Sequence, residues 1–447
     1  MSESLAVVVL AAGQGTRMKS ALPKVLHKIG GRPMLAHVLA VAKALSAARV
    51  VVVTAPGAES VGALAKEWGA EAVVQERQLG TGHAVLATEQ ALKGFKGNLL
   101  VLFGDCPLLT AGTLSRLTAK LGEGADISAL GFEAADPTGY GRMIMDGARL
   151  SRIVEEKDAN PKERATKLAF AGMLAGRAAT VFELLHKVGN QNAQGEFYLT
   201  DLIEIARTRN LNCAVVEGKE GEMLGVNSRV QLAEAEMAFQ ARRRHELMAE
   251  GVSFAAPETV FLSADTVIEP DAVVGPYVVF GPGVTVRARA EIRAFCHIED
   301  AEIGRGAIVG PFARLRGGAK LDDNVGIGNF VELKNAHLEE GVKASHLSYI
   351  GDAHVGARTN IGAGTITCNY DGFAKHRTEI GADAFIGSNT ALVAPVSVGE
   401  GAIVAAGSVI TESVGPNALA VARGRQVTKA GRAEEIRSKA RSKKKDK

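Results

Sequence analysis

The feature that most constrains this chain is a six-residue period in its second half. Ile268, Val274, Phe280, Val286, Ile292 and Ile298 keep step. After a slip, Ile303, Val309, Leu315, Leu321, Ile327 and Leu333 do the same, and a third register runs through Ile380, Ile386, Leu392, Val398, Val404 and Ile410. A helix repeats its apolar face near 3.6 residues and a half-buried strand every two, so neither sustains a period of six. The pattern fits a solenoid in which each hexapeptide supplies one short flat strand and one corner. The aliphatic residue fills the axis, and a small residue, often Gly as in Ile303-Gly304, Val309-Gly310 and Ile361-Gly362, permits the turn. Three hexapeptides close one coil, and each coil buries its apolar edge only against its neighbours. A glycine count of 51 and an aromatic share of 5% fit such repeated turning. The register breaks near residues 338 to 350 and 368 to 379, where insertions are expected to emerge as loops.

The first half reads differently. At 447 residues the chain exceeds what one core organises, so at least two domains are expected. Leu5 to Leu10 is an aliphatic run, Met34 to Leu45 has helical periodicity, and Arg49 to Thr54 is β-branched. Buried-type strands at Asn98 to Phe103 and Asp126 to Phe132 extend this βαβ syntax into an α/β, Rossmann-like domain. Its sheet should be mostly parallel, with helices on both faces and ligands beyond the carboxyl ends of the strands. Between Ser228 and Glu250 the chain becomes charged and helical, with Val230, Ala233, Met237 and Ala241 as the apolar stripe of a connecting helix. The expected boundaries are therefore 1–227, a linker helix 228–251, a repeat domain 252–431 and a tail 432–447.

Composition removes several function classes. Cys106, Cys213, Cys296 and Cys368 show neither a CxxC pair nor a His at metal spacing, which argues against a disulfide framework or a zinc site. The formal charge is +3. Arg437, Lys439, Arg441, Lys443, Lys444, Lys445 and Lys447 stand against Asp446, a surplus of six, so the rest of the chain carries −3. Basicity is thus a tail rather than a groove, read as a frayed, solvated terminus with no nucleic-acid partner. No apolar run approaches a bilayer span and no signal-like segment opens the chain, so a soluble, cytoplasmic protein without membrane insertion is expected.

Where the first strand should end stands Leu10-Ala11-Ala12-Gly13-Gln14-Gly15-Thr16-Arg17, followed by Pro23-Lys24. Glycines there let backbone N–H groups approach phosphates. No Gly-Lys-Ser/Thr follows, and Met18 occupies the third glycine position of the dinucleotide fingerprint, so neither of those motifs applies. The stretch resembles the signature of the nucleoside-diphosphate-sugar pyrophosphorylases. The resemblance implies that Leu10, Ala11, Ala12 and Gly13 bind the nucleotide while Arg17 and Lys24 neutralise the triphosphate and assist catalysis. Gln75 and Gln78-Leu79-Gly80-Thr81-Gly82-His83 resemble the uracil-reading segment of the uridylyltransferases, which implicates Gln75, Gly80 and Thr81 in UTP binding. Asp105 and Asn227 match metal ligands, and their oxygens suit Mg²⁺ held jointly with phosphates. Gly139 and Glu155 match positions that hold the sugar. Phe170 departs from the pattern, standing where the family usually carries Asn, and this bears on sugar preference.

A solenoid of hexapeptides is by itself equally a spacer, a trimerisation rod or an enzyme. The segments outside the repeat weigh on that choice: Arg314-Leu315-Arg316, Asn329-Phe330-Val331-Glu332-Leu333-Lys334, His346-Leu347-Ser348-Tyr349 and Asn360 through Gly372. With the first half, they are similar to the bifunctional N-acetylglucosamine-1-phosphate uridylyltransferase and glucosamine-1-phosphate N-acetyltransferase family. That resemblance implies a left-handed parallel β-helix and a homotrimer with acetyl-transfer sites between subunits. It also implies a catalytic base at His346. Only a neutral amine attacks a thioester, and histidine's pKa suits removal of the ammonium proton. Glu332, on a nearby coil by spacing, is expected to orient the ring. Arg316 and Lys334, one 18-residue coil apart, match cations that hold the sugar phosphate. Tyr349, Asn360 and Asn369 match groups that place the sugar. Ala363, Asn369, Tyr370, Ser388, Ala406 and Arg423 match acetyl-CoA contacts. Two other readings stay open on the residues alone: a single-activity nucleotidyltransferase with a regulatory β-helix, and a scaffold whose first domain is degenerate, for which Phe170 speaks.

Overall fold

The apolar runs of the first half become strands of one twisted sheet in the computed structural model, which describes residues 4–147 and 149–445. In chain order these are β1 (Leu5–Ala11), β2 (Arg49–Thr54), β3 (Glu71–Val74), β4 (Asn98–Phe103), β5 (Ile127–Glu133), β6 (Gly141–Asp146), β7 (Arg149–Val154), β8 (Leu168–Arg177) and β9 (Cys213–Glu217). Across the sheet they run β9-β5-β8-β4-β1-β2-β3, with β6 pairing β8 and β7. The central pairings are parallel, Val8 facing Val51 on one side and Val101 on the other, whereas β8 runs antiparallel to β4 and β5. Alternation along β1 feeds two cores. Ala6, Val8 and Leu10 join Val51, Val101 and Leu174 on one face, and Val7, Val9 and Ala11 join Leu35, Val38, Leu100 and Leu114 on the other. Each buried valine or leucine among them contributes about 1.5–3 kcal/mol. Both faces being covered by helices, the carboxyl-end crevice is the open place for a ligand.

The helix Arg229–Ala249 forms, but its apolar stripe lies elsewhere than the sequence pattern suggests. Val230 and Met237 are 68% and 64% exposed, and Ala233 and Ala241 also face solvent. Ala235 and Phe239 are buried instead, packed with Ile29, Met34, Leu108 and Val226. A shift of two residues is about 200° around a helix, so the expected stripe belongs to the opposite face. By contact density the chain divides into two units, Met1–Glu246 with Leu262–Ala264, and Leu247–Phe261 with Asp265–Lys447.

The second unit is a solenoid with three parallel ladders, one per face. One ladder passes Val273–Val274, Glu291–Ile292, Ile308–Val309, Gly326–Asn329, Lys343–His346, Asn360–Ile361, Phe385–Ile386 and Ile403–Val404. The other two are joined where single strands, Glu332–Leu338 and Tyr349–Val355, turn a corner unbroken. Axis residues such as Val274, Ile292, Val309, Ile386 and Val404 are fully buried. The two breaks in the period have different causes. Glu332 pairs with Tyr349 and Tyr349 with Ile366, steps of 17 residues, so the break near 338 to 350 is a coil one residue short and no loop emerges there among the described residues. At 368 to 379 the loop expectation holds: Asn360 pairs with Phe385, a step of 25, and the excess forms a turn closed by a Tyr370–Lys375 bridge.

The tail, expected to fray, is a helix over Arg432–Lys445; Asp446 and Lys447 lie outside the described residues. No described helix is long and apolar enough to cross a membrane.

Candidate active sites

The carboxyl ends of β1 and β4 and the turn after β3 open onto a cavity of about 550 Å³, a size suited to a nucleotide-sized ligand. Leu10, Ala11, Ala12 and Gly13 line one wall, Gln75, Gln78, Gly80 and Thr81 another, and Lys24, Asp105 and Asn227 the floor. Lys24 Nζ donates to Asp105 Oδ2 at 2.5 Å and to Asn227 Oδ1 at 2.9 Å. These side chains are screened from solvent, Lys24 being 10% and Asp105 15% exposed. Gly15 permits this placement: it has φ +59°, and a Cβ there would fall 2.7 Å from Lys24 Cβ. Buried Gln75 donates to the Gly80 carbonyl at 3.1 Å and lies 3.0 Å from His83 Nδ1. Gln78 ties the walls together, donating to the Ala12 carbonyl and accepting from Gln14. Thr81 Oγ1 accepts the Leu199 N–H at 3.0 Å.

Beyond this cavity, Gly139 sits in a turn with φ +87°, its N–H donating to Glu156 Oε2. Burial pushes the neighbouring Glu155 carboxyl above its usual range, against a hydrogen bond from the Thr200 hydroxyl at 3.1 Å. Arg17 lies exposed on a 3₁₀ turn over Thr16–Met18, outside the cavity lining.

On the solenoid, His346 ends its strand exposed, and its Nδ1 lies 2.8 Å from Asn329 Oδ1, the residue one coil below. With the Asn329 amide in this orientation its oxygen accepts, which assigns the proton to Nδ1 and leaves Nε2 as the acceptor nitrogen. Arg316 and Lys334 are direct ladder partners. Above them stands Gly351, and the Tyr349 ring folds over it: a Cβ there would lie 2.4 Å from the phenol oxygen. Asn369 donates to Asp352 and, at 3.5 Å, to Tyr349 Oη. Burial works to raise the Asp352 carboxyl. Hydrogen bonds from Asn335 and Asn369 and the charges of Lys375 and Lys334 nonetheless hold it below its usual range. The Lys375 ammonium beside Lys334 pushes the latter's pKa below the ordinary lysine value. Arg316, Lys334 and Lys375 thus gather on one face, with Glu332 paired to Arg316 and Asp352 beside the two lysines.

Four of the six positions expected to contact acetyl-CoA form a column. Gly364 N donates to the His346 carbonyl at 3.4 Å, Asn389 N to that of Ala363 at 2.7 Å, and Gly407 N to that of Ser388 at 2.8 Å. Arg423 Nη1 reaches the Ala406 carbonyl at 2.6 Å. Ala363, Ser388, Ala406 and Arg423 therefore stack on one corner, directly above the histidine. Asn360 lies one strand earlier, paired with Lys343, and Tyr370 is exposed on the inserted turn with its hydroxyl on the Gly372 carbonyl.

Residues 7–165 match the MobA-like NTP transferase domain, and residues 377–412 the hexapeptide repeat of succinyl-transferase. Relatives named Bifunctional protein GlmU align over nearly the whole chain. That of Ruegeria sp. (strain TM1040) is 55% identical across 99% of this chain and 98% of its own length. Those of Xanthobacter autotrophicus and Azorhizobium caulinodans are 56% and 55% identical, each over 98% of both chains. The chain belongs to the GlmU family. Its fold is a mostly parallel α/β nucleotidyltransferase domain followed by a left-handed parallel β-helix of hexapeptide repeats.

One expectation for this GlmU-family chain is corrected. Glu332 does not orient His346: it accepts from Arg316 at 2.7 Å and faces Tyr349 in the ladder. Strand register puts Asn329, not Glu332, beneath the histidine. Sequence reasoning placed Gln78 and Asn329 inside family-like segments without giving either a role of its own, and it passed over Lys375 and Glu196, the last lining the nucleotide cavity. Asn329 was legible, lying 17 residues before His346 where the coil has that length. Lys375 was not, because the inserted turn that carries it has no period. Phe170 is buried in the core, 6% exposed, and presents no polar group to a ligand.

Proposed function

We propose that this chain makes UDP-N-acetylglucosamine in two steps: acetyl transfer from acetyl-CoA to glucosamine-1-phosphate, then uridylyl transfer from UTP to the product with release of pyrophosphate. The carrying observation is that one chain holds both a nucleotide cavity floored by Lys24, Asp105 and Asn227 and a His346–Asn329 pair beside a cation column.

For acetyl transfer, His346 Nε2 takes a proton from the sugar's ammonium. The amine then attacks the thioester carbonyl, the C–N bond forms, the C–S bond breaks and coenzyme A leaves as the thiol. Arg316, Lys334 and Lys375 hold the phosphate, while Tyr349, Asn360 and Asn369 place the ring. The column Ala363, Ser388, Ala406 and Arg423, with Asn369 and Tyr370, lies against acetyl-CoA. For uridylyl transfer, a sugar-phosphate oxygen attacks the α-phosphorus in line, and pyrophosphate departs without a covalent intermediate. Leu10 to Gly13 cradle the nucleotide, Gln75, Gly80 and Thr81 read the base, Gly139 and Glu155 hold the sugar, and Lys24 with Arg17 neutralises phosphate charge. The donor set fits Mg²⁺, since a carboxylate and an amide oxygen already converge on a cation. When bound, Mg²⁺ supplies further charge neutralisation at the phosphates.

The working form is a homotrimer. Next to His346 and Asn329, Tyr277, Phe295, Phe312 and Phe330 stack ring on ring at 4.8–5.2 Å, continued by Leu347, and all five hold positive φ. Phe312, Phe330 and Leu347 are 45%, 54% and 61% exposed. An apolar ladder held in strained backbone beside a half-open site is what a second copy would cover. A chain that draws on UTP and acetyl-CoA is expected to work in the cytoplasm.

The test supplies acetyl-CoA with glucosamine-1-phosphate and follows free thiol, then UTP with Mg²⁺ and several sugar-1-phosphates and follows pyrophosphate. Both products are expected. Pyrophosphate without thiol would leave a single-activity nucleotidyltransferase, and turnover with non-acetylated sugars would trace altered preference to Phe170.

A further inference from the structure

We infer that Lys24 is the resident cation of the divalent-metal position and makes metal binding depend on the nucleotide. This rests on the reading of the cavity as a UTP and Mg²⁺ site. The ammonium lies between the two oxygens that fit the metal, 2.5 Å from Asp105 Oδ2 and 2.9 Å from Asn227 Oδ1. A lysine on a solvated surface would be free to swing away. This one is 10% exposed, its stem passes under Gly15 with no room for a Cβ there, and Asn227 is itself anchored through its N–H to Gln231 Oε1 at 2.9 Å. Two cations do not share a gap of this size in a screened cavity, where like charges repel far more than in water. A divalent ion therefore takes these oxygens only when Lys24 has another anion to go to.

The phosphates of the nucleotide are that anion. The Gly13–Gly15 loop and Lys24 line the same cavity or its rim, so a triphosphate entering over the loop offers oxygens within a side-chain swing of Nζ. Lys24 then moves from carboxylate to phosphate, and the vacated oxygens accept the metal that accompanies the nucleotide. The same side chain serves as placeholder before binding and as phosphate ligand after it. The consequence is an order of events: metal alone binds poorly, and the cavity is not closed off by a stray ion in the absence of substrate.

The experiment measures binding of Mn²⁺ alone to the full-length protein by loss of the free-ion electron paramagnetic resonance signal. The wild type should bind Mn²⁺ weakly at this site, and Lys24→Met should bind it at least about tenfold more tightly. Lys24→Gln serves as a second variant should the first fold poorly, with thiol release from acetyl-CoA as the check on integrity. Adding Asp105→Asn to either variant should abolish the gain, which assigns it to this site. Equal Mn²⁺ affinity in the wild type and both single variants would overturn the placeholder role. That failure is distinguishable from failure of the functional reading, because UTP-dependent pyrophosphate release by the wild type would persist in the first case and be missing in the second.

Discussion

The two sites are built on opposite plans. The nucleotide cavity is closed by one chain on itself: Lys24, Asp105 and Asn227 come from segments 81 and 203 residues apart and meet at the carboxyl ends of the parallel strands. The acetyl-transfer site is an edge. Its groups come from successive coils, 17 or 18 residues apart, and they lie on the outside of a rod with His346 exposed. A sheet crevice supplies walls, burial and opposing partners from within one fold. A solenoid supplies precise vertical spacing but only one wall. On the trimer proposed above, the cations around Lys334 and the bare aromatic ladder lie where a second copy would supply the other wall.

The sharpest break in the comparison is crosswise loss. His346→Ala should lower thiol release by about 10²–10⁴-fold, the usual worth of a positioned base, while pyrophosphate release stays at the wild-type rate. Lys24→Met should do the reverse, costing about 10²–10³-fold in pyrophosphate release as a lost charge-stabilising donor and sparing thiol release. Both assays on each variant check this. A loss of both activities from either substitution would mean the plans are not independent.

The missing-wall argument is sharpened by Phe312→Asp. Phe312 is half-exposed with φ +57°, a conformation that Asp tolerates better than a bulky ring, so a lone subunit should fold at least as well with the substitution. A charge in the ladder should nevertheless separate the subunits in sedimentation and reduce acetyl transfer by about tenfold or more, leaving uridylyl transfer intact. An unchanged mass and an unchanged thiol rate would place the subunit interface elsewhere. A smaller effect is expected at Asn329. Asn329→Ala frees the ring of His346 and should cost about tenfold in kcat for acetyl transfer. Asn329→Asp should restore orientation and move the acid limb of the rate profile to higher pH, since an adjacent carboxylate favours the imidazolium.

These plans also explain what the sequence makes legible. Periodicity is a local signal, so the solenoid, its axis residues and the Arg316–Lys334 pairing could be read from spacing alone. The strands of the first half followed from apolar runs, with β2 and β4 matching to the residue. Reading failed where a choice depends on a partner distant in sequence. Nothing near Val230 or Met237 says that Phe239, two positions on from Met237, is the residue that meets Met34 and Leu108. Likewise the side of the coil on which Glu332 lies is decided by register: a strand of seven residues that turns a corner sends it to Arg316 and leaves His346 to Asn329. The motifs gave the identities of the proposed nucleotide-site residues, but Lys24 lying between the two proposed metal ligands is a fact of tertiary packing alone.

The smallest expected effect separates the plans by pH. On the rod, exposed carboxylates are held below their usual range by arginine partners, as Arg358 holds Asp383 and Arg287 holds Glu269. Around Glu155 in the first unit the opposite occurs. Half-buried Asp201 is raised to about 6, first by burial and then by the charges of Glu204, Glu155 and Asp158. A carboxyl raised on folding binds its proton more tightly in the folded than in the unfolded chain. Its contribution is therefore favourable below its ordinary value of 3.8 and is lost as pH climbs through about 6. Asp201→Asn removes the ionised form. It should raise the melting temperature of the first unit by about 1–3 °C at pH 7.5 and give no increase at pH 4, where the wild-type carboxyl is protonated. The transition of the solenoid should not move at either pH. A gain of equal size at both pH values would trace it to packing rather than charge, and the contrast between crowded carboxylates in the first unit and paired ones on the rod would not hold at this position.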